Sequence, residues 1–292
     1  MKKKIALVLS SGGSRGLAHA GVIQALEVHG FHISSVAGSS IGAVIGGLYA
    51  MGQLDAYIEW IKRLNKRDVW GLMDFTLAPH GLIKGEKVFE KMKTFIPDMP
   101  IEEMRIPYAA VATDILNERE VVFTKGSFYD AARASIAIPA VITPVRYGDT
   151  FLVDGGVLNP VPMGHIHRTD DDWLVVVNLY GEPIKSTPPK VPTDPEISSS
   201  NGGFNFSFNS LVSRISKLIL SADRQSIGYY SLLAASSSVM IRRMAQLAIA
   251  HYKPDLCIDI PADSAGTFEF FKATELIELG RELANEAITR LV

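Results

Sequence analysis

Short, unbroken apolar runs alternate with longer stretches of helical spacing along most of this chain. Ile5-Ala6-Leu7-Val8-Leu9 has the length of a strand and no polar interruption. After a glycine-rich turn, Leu17, Val22, Ile23, Leu26 and Val28 mark a mostly apolar helix that stops near Gly30. The pattern repeats: Gly30 to Ala37 leads through a second glycine turn into a helix over Ile41 to Met51, whose Ala43, Gly46, Gly47 and Ala50 give it a smooth side. Asp55 to Asn65 is amphipathic, with Tyr57, Ile58, Ile61 and Leu64 on one face, and Glu86 to Phe95 reads as a further helix. Tyr108 to Thr113, Glu120 to Thr124, Phe151 to Val153 and Trp173 to Asn178 read as strands. Tyr129 to Ile138 reads as a helix stopped by Pro139. Strands alternating with helices predict an α/β fold, a largely parallel central sheet flanked by helices on both faces.

Two regions resist the pattern. Val69 to Ile83 holds Trp70, Leu72, Met73 and Phe75 yet is broken by Gly71, Pro79 and Gly81. It is expected to be a loop packed on the core; the sharper alternative is a lid or the wall of an acyl pocket. Glu182 to Phe208 is rich in Pro, Ser, Asn and Gly, the composition of a flexible loop. A helical stretch follows from Leu211 to about Ala250, then a small strand at Leu256 to Ile260 and a closing helix from Phe268 to Leu291. Phe204 to Leu220, with Arg214 and Lys217, would suit a membrane surface, although a packed amphipathic helix is the plainer reading. No repeat or boundary marks a second domain. The chain is read as one domain over 1–292: an α/β core over 1–180, a loop over 181–208 and a helical extension over 209–292.

Composition narrows the classes. Of 292 residues, 47% are hydrophobic and 21% charged, ordinary for a globular enzyme, and a net charge of −2 argues against a nucleic-acid partner. The one cysteine, Cys257, lies in Leu256-Cys257-Ile258 and reads as a buried small hydrophobe. With no disulfide framework and no clustered metal ligands, the expectation is a reducing, cytoplasmic setting and no metal or other cofactor. Met1-Lys2-Lys3-Lys4 imitates a secretory signal, but the apolar run ends too soon, at Ser10-Ser11-Gly12-Gly13. No run is long enough to cross a bilayer, so membrane association is expected to be peripheral at most. The oligomeric state is not legible.

The candidate chemistry sits in the two glycine turns. Gly38-Ser39-Ser40-Ile41-Gly42 fits G-x-S-x-G, where a strand bends sharply into a helix and presents a serine. Gly12-Gly13-Ser14-Arg15-Gly16 fits the same pattern. Spacing leaves open which serine attacks, but acyl transfer needs one nucleophile and a separate set of backbone donors for an oxyanion, and two turns can supply one each. A nucleotide site is not indicated, because the P-loop Gly-Lys-Ser/Thr and the G-x-G-x-x-G spacing are both missing. His19, on an apolar helix, reads as a packed histidine. For a Ser-His-Asp arrangement the late histidines are His165, His167 and His251, none in a glycine-framed turn. Asp154, before Gly155-Gly156 at a strand end, is the best-placed acid.

Together these motifs resemble the patatin-like phospholipase family in its bacterial branch. The likeness rests on Ser10 to Gly16 with its helix, Gly38 to Gly42, Ala112-Thr113-Asp114, Ala132 to Pro139, and Val153-Asp154-Gly155-Gly156-Val157. It implies a serine lipid acyl hydrolase acting on phospholipids or lysophospholipids through a Ser-Asp dyad, without a metal. By matching motifs, Ser40 is the nucleophile and Asp154 the general base, while Gly12, Gly13 and Ser14, with Arg15 beside them, form the oxyanion hole. One position departs from the pattern: the first of three consecutive glycines is Ser11 here, and a side chain there would strain a backbone that needs positive φ. That departure motivates the alternative of a catalytically slow lipid-binding protein on the same fold.

Overall fold

Strand β1 (Lys4–Leu9) lies inside the sheet because Ile5 through Leu9 have nothing to offer water, and all five are wholly buried. Fully burying a side chain of the Val or Leu kind stabilises by roughly 1.5–3 kcal/mol. The computed structural model describes residues 3–76, 81–184 and 229–291. Two compact units divide the chain, one of residues 1–184 with 241–292, the other of 185–240. The sheet belongs to the first.

Its strands are β1, β2 (His32–Ser39), β3 (Tyr108–Asp114), β4 (Arg119–Phe123), β5 (Val145–Tyr147), β6 (Thr150–Asp154), β7 (Trp173–Gly181) and β8 (Leu256–Pro261). They lie in the order β5-β6-β3-β2-β1-β7-β8, with β4 also paired to β3. The core β3-β2-β1-β7-β8 is parallel. Strands β4, β5 and β6 are antiparallel to their neighbours, which makes the sheet mixed. The mixture builds the site. Parallel β2 pairs with β3 only as far as Ser39 opposite Val111, and antiparallel β6 takes over with Asp154 opposite Ala112. Two strands thus run head-on along β3, and their last residues face consecutive positions of it.

The helices are α1 (Leu17–Val28), α2 (Ile41–Ala50), α3 (Leu54–Ile61), α4 (Lys66–Leu72), α5 (Lys87–Lys93), α6 (Phe128–Ser135), α7 (Tyr229–Tyr252) and α8 (Ala273–Thr289). The larger core joins the sheet to α1, α2, α3, α5 and α8. A smaller one, around Val8, Val161, Met163, Leu174, Val176 and Ala245, covers the opposite face. Helices α1 and α8 cross closely because Gly21 and Gly280 lack side chains: a Cβ on the first would strike Ile277 O, and on the second Ala18 O.

Several boundaries differ from the sequence expectation. Asn65 does not end α3 but caps α4, in a reciprocal capping box with Asp68, so the expected loop begins with a helix. Helix α6 stops at Ser135, before Pro139, and Phe270–Lys272 form a short 3-10 turn ahead of α8. The expected loop from Lys185 onward, the surface-seeking stretch Phe204 to Leu220, and Leu77 to His80 lie outside the described residues. No helix among the described residues is long and apolar enough to cross a membrane.

Candidate active site

Ser40 stands where β2 turns into α2, with φ 56 and ψ −125, a costly backbone for a residue with a side chain. Its neighbours permit the turn. A Cβ on Gly38 would strike Gly42, and a Cβ on Gly42 would strike Leu9 O. The Ser40 N–H donates to Ser135 Oγ at 2.8 Å, and that hydroxyl donates to Val111 O at 2.6 Å. The Ser40 hydroxyl in turn donates to Asp154 Oδ2 at 2.5 Å. The other Asp154 oxygen accepts from the Gly156 N–H at 2.7 Å, and Gly155 has no room for a side chain beside Val111 O. Ser40 is 4% exposed and Asp154 6%. Burial pushes the Asp154 carboxyl up to about 6, against the opposing pull of the Ser40 hydroxyl and the Gly156 N–H. The pair therefore holds a buried carboxyl whose proton affinity lies closer to neutrality than that of free aspartate.

The second glycine turn abuts the first, since the place of a Gly16 Cβ is filled by the Ile41 side chain. Its residues divide differently from the sequence expectation. The Ser14 N–H already donates to Thr267 O at 2.9 Å, and its hydroxyl donates to Gly266 O at 2.7 Å. Arg15 ties the turn down from behind, donating to Gly12 O at 3.0 Å, Leu179 O at 2.9 Å and Ala262 O at 2.8 Å. Gly13, at φ 61, forms part of a cavity wall together with Ser40. Among the described residues nothing accepts from the N–H groups of Gly12, Gly13 or Ile41. Ser11 is not in the left-handed region, so the expected strain is absent. Its hydroxyl pairs with the Tyr180 hydroxyl at 2.6 Å.

That cavity, of about 140 Å³, is walled largely by apolar side chains of α3, α4, α5 and the segment after α6. Val69, Leu72, Met73 and Ile83 contribute, so part of the described stretch Val69 to Ile83 is pocket wall. Phe268 and Phe270, expected within the closing helix, also line it. No histidine joins the Ser40–Asp154 pair among the described residues. His165 Nε2 lies 2.5 Å from Glu120 Oε2, which also accepts from Asn159. His167 lends its carbonyl to the Ser35 hydroxyl, and His251 packs edge-on against Tyr252. His19 is buried 2.9 Å from Ser10 O, and burial lowers it to about 4, so it is a neutral packing residue.

The sequence pattern of the patatin-like phospholipases matches residues 7–166, more than half of the chain. The chain belongs to the patatin-like phospholipase family. Among curated relatives of this patatin-like chain, an uncharacterized NTE family protein of Mycobacterium tuberculosis (strain H37Rv) is 34% identical, over 98% of this chain and 91% of that protein. The lysophospholipase NTE1 of Debaryomyces hansenii is 32% identical over 61% of this chain, which amounts to 12% of that protein. Among solved structures, VipD from Legionella pneumophila superposes with a TM-score of 0.50 at 12% identity, covering 99% of this chain and 67% of that one. The likeness to VipD is one of fold alone.

Sequence reasoning passed over three contributors to this patatin-like site. Ser135 lay inside a quoted motif, Ala132 to Pro139, without a role assigned to it. Thr267 and Tyr180 carry no local signal at all, for they meet the Ser14 and Ser11 turn from 253 and 169 residues away. The capping pair Asn65 and Asp68 was a readable signal for α4.

Proposed function

We propose that this protein hydrolyses fatty-acyl esters of phospholipids or lysophospholipids through a Ser40–Asp154 dyad. The observation that carries the reading is the 2.5 Å contact between Ser40 Oγ and Asp154 Oδ2 at the wall of an apolar cavity. Family membership and the lysophospholipase named among the relatives support the lipid substrate.

In this mechanism Asp154 takes the Ser40 proton as Oγ attacks the acyl carbonyl carbon. The carbonyl oxygen becomes an oxyanion that accepts from the free N–H groups of Gly12, Gly13 and Ile41, at the positive end of α2. Ser14 and Arg15 hold the turn in place instead of donating to the oxyanion. Collapse of the intermediate expels the alcohol, which receives the proton from Asp154 and leaves an ester on Ser40. Water, deprotonated by Asp154, attacks that ester; the acid departs, and the proton returns to Ser40. A single well-aimed backbone donor is worth about 10²–10³ in rate in such sites, so the turn matters as much as the nucleophile. The alternative of a slow lipid-binding protein loses its motive, since Ser11 sits without left-handed strain.

Turnover of a lysophospholipid and of a chromogenic acyl ester should be measured for wild type, Ser40→Ala and Asp154→Asn. The reading expects both substrates to be cleaved by wild type and both variants to lose at least about a thousandfold. Full activity in Ser40→Ala would end it.

A further inference from the structure

The cavity wall is mostly apolar, and Tyr57 is one of the few polar side chains in it, beside Ser40, Trp60, Asp74 and Thr267. Tyr57, on α3, lines the cavity and is 4% exposed. The other tyrosines buried in the same core have partners: Tyr108 donates to Ala43 O and Tyr129 to Ile96 O, each at 2.7 Å. Among the described residues no group bonds the Tyr57 hydroxyl. It is also not one of the unpaired polar atoms sealed from solvent, which include those of His19, Ser39 and Thr113. An unpaired oxygen that is not sealed is free to bond a ligand, and its residue lines this cavity.

Two other polar side chains of the wall already have partners. Asp74 accepts from the N–H groups of Gly85, Glu86 and Lys87, and the Ser40 hydroxyl is on Asp154. Burial pushes the Tyr57 phenol up, which keeps it a neutral donor. A plain methylene chain that displaced water from this hydroxyl would leave it unsatisfied, and a chain with an oxygen at the same height would restore the bond. Sites built to bond a polar group on the substrate discriminate against analogues that lack it.

We infer that Tyr57 is a specificity-determining residue and that the preferred acyl chain carries a hydroxyl or carbonyl oxygen part-way along its length. This rests on the hydrolase reading and narrows its substrate to oxygenated acyl chains.

The test uses the full chain and pairs of acyl esters matched in length, one saturated and one carrying a hydroxyl, with the hydroxyl moved stepwise along the chain. Wild type should favour one hydroxylated isomer by at least about tenfold in kcat/KM, equivalent to ~1.4 kcal/mol. Tyr57→Phe, with its folding checked by a melting curve, should bring that ratio close to one. Ratios near one for every isomer in wild type overturn the inference, and so does a preference that survives in Tyr57→Phe. If no ester is cleaved and Ser40 takes no fluorophosphonate, the hydrolase reading itself fails and takes this inference down with it.

Discussion

The Ser135 hydroxyl accepts from the backbone N–H of Ser40 at 2.8 Å. The backbone of Ser40 turns its N–H out of the strand ladder, and a residue held there costs about 1–3 kcal/mol. Ser135 gives the displaced donor a partner and passes the bond on to Val111 O. Ser135→Ala should cost roughly 1–3 kcal/mol of stability by leaving a buried donor unpaired. It should lower kcat more than it changes KM, because the elbow relaxes while the cavity stays. Denaturant titration and steady-state kinetics check both; unchanged stability means the elbow stands without it.

Two glycines give a matched contrast. Gly42→Ala would drive a Cβ into Leu9 O, backbone that cannot step aside, whereas nothing lies within 4 Å of a Cβ on Gly71 in helix α4. Gly42→Ala is expected to lose several kcal/mol, about 3 or more, and to abolish activity. Gly71→Ala should stabilise by up to ~1 kcal/mol through helix propensity. Thermal melts of the pair decide it, and equal effects would contradict the packing described.

Burial lifts the Asp154 carboxyl to about 6, where free aspartate has ~3.9. The folded chain thus holds this proton more tightly than the unfolded chain. Its contribution is fully present below about pH 4 and is lost as pH rises through about 6. At pH 7, Asp154→Asn should be more stable than wild type by roughly 2–3 kcal/mol, and the gain should vanish toward about pH 4. In the proposed mechanism catalysis runs the other way, because Asp154 must be deprotonated to act as the base: kcat/KM should climb about tenfold per pH unit below 6 and level off above it. Melting curves and a rate profile test the two halves separately; a flat rate from about pH 5 to 7 contradicts the assignment.

Arg15 gathers the carbonyls of Gly12, Leu179 and Ala262 with one planar guanidinium. A lysine carries the charge without the fork. Arg15→Lys should therefore lose about 1–3 kcal/mol of stability and roughly tenfold or more in kcat. Ser14→Ala removes only the bond to Gly266 O, at about 0.5–1.5 kcal/mol, and should keep kcat within a few-fold. Comparing the two by melting and kinetics separates a brace from a nucleophile.

Much of the fold was legible where pattern is local. Strand β1, helix α1 and helix α2 fall where unbroken apolar runs and glycine turns put them. Strand direction was not legible: nothing in Phe151-Leu152-Val153 says that it runs against β3, yet that reversal is what brings Asp154 to Ser40. Helix α4 has no apolar period in Lys66-Arg67-Asp68, so the cap formed by Asn65 and Asp68 is the signal that marks its start. The bonding of Ser14 at the first turn was illegible for a longer-range reason. Whether the Ser14 N–H is free depends on Thr267, which only the folded chain brings near. Likewise the basicity of Asp154 comes from burial, which its sequence neighbours do not reveal.

The most direct test of the account is covalent labelling of the folded protein with a fluorophosphonate, followed by peptide mass spectrometry. A single adduct on Ser40 is expected, formed at least about a hundredfold more slowly in Asp154→Asn. An adduct on Ser14, or labelling of Ser40 at the same rate without the Asp154 carboxylate, would contradict it.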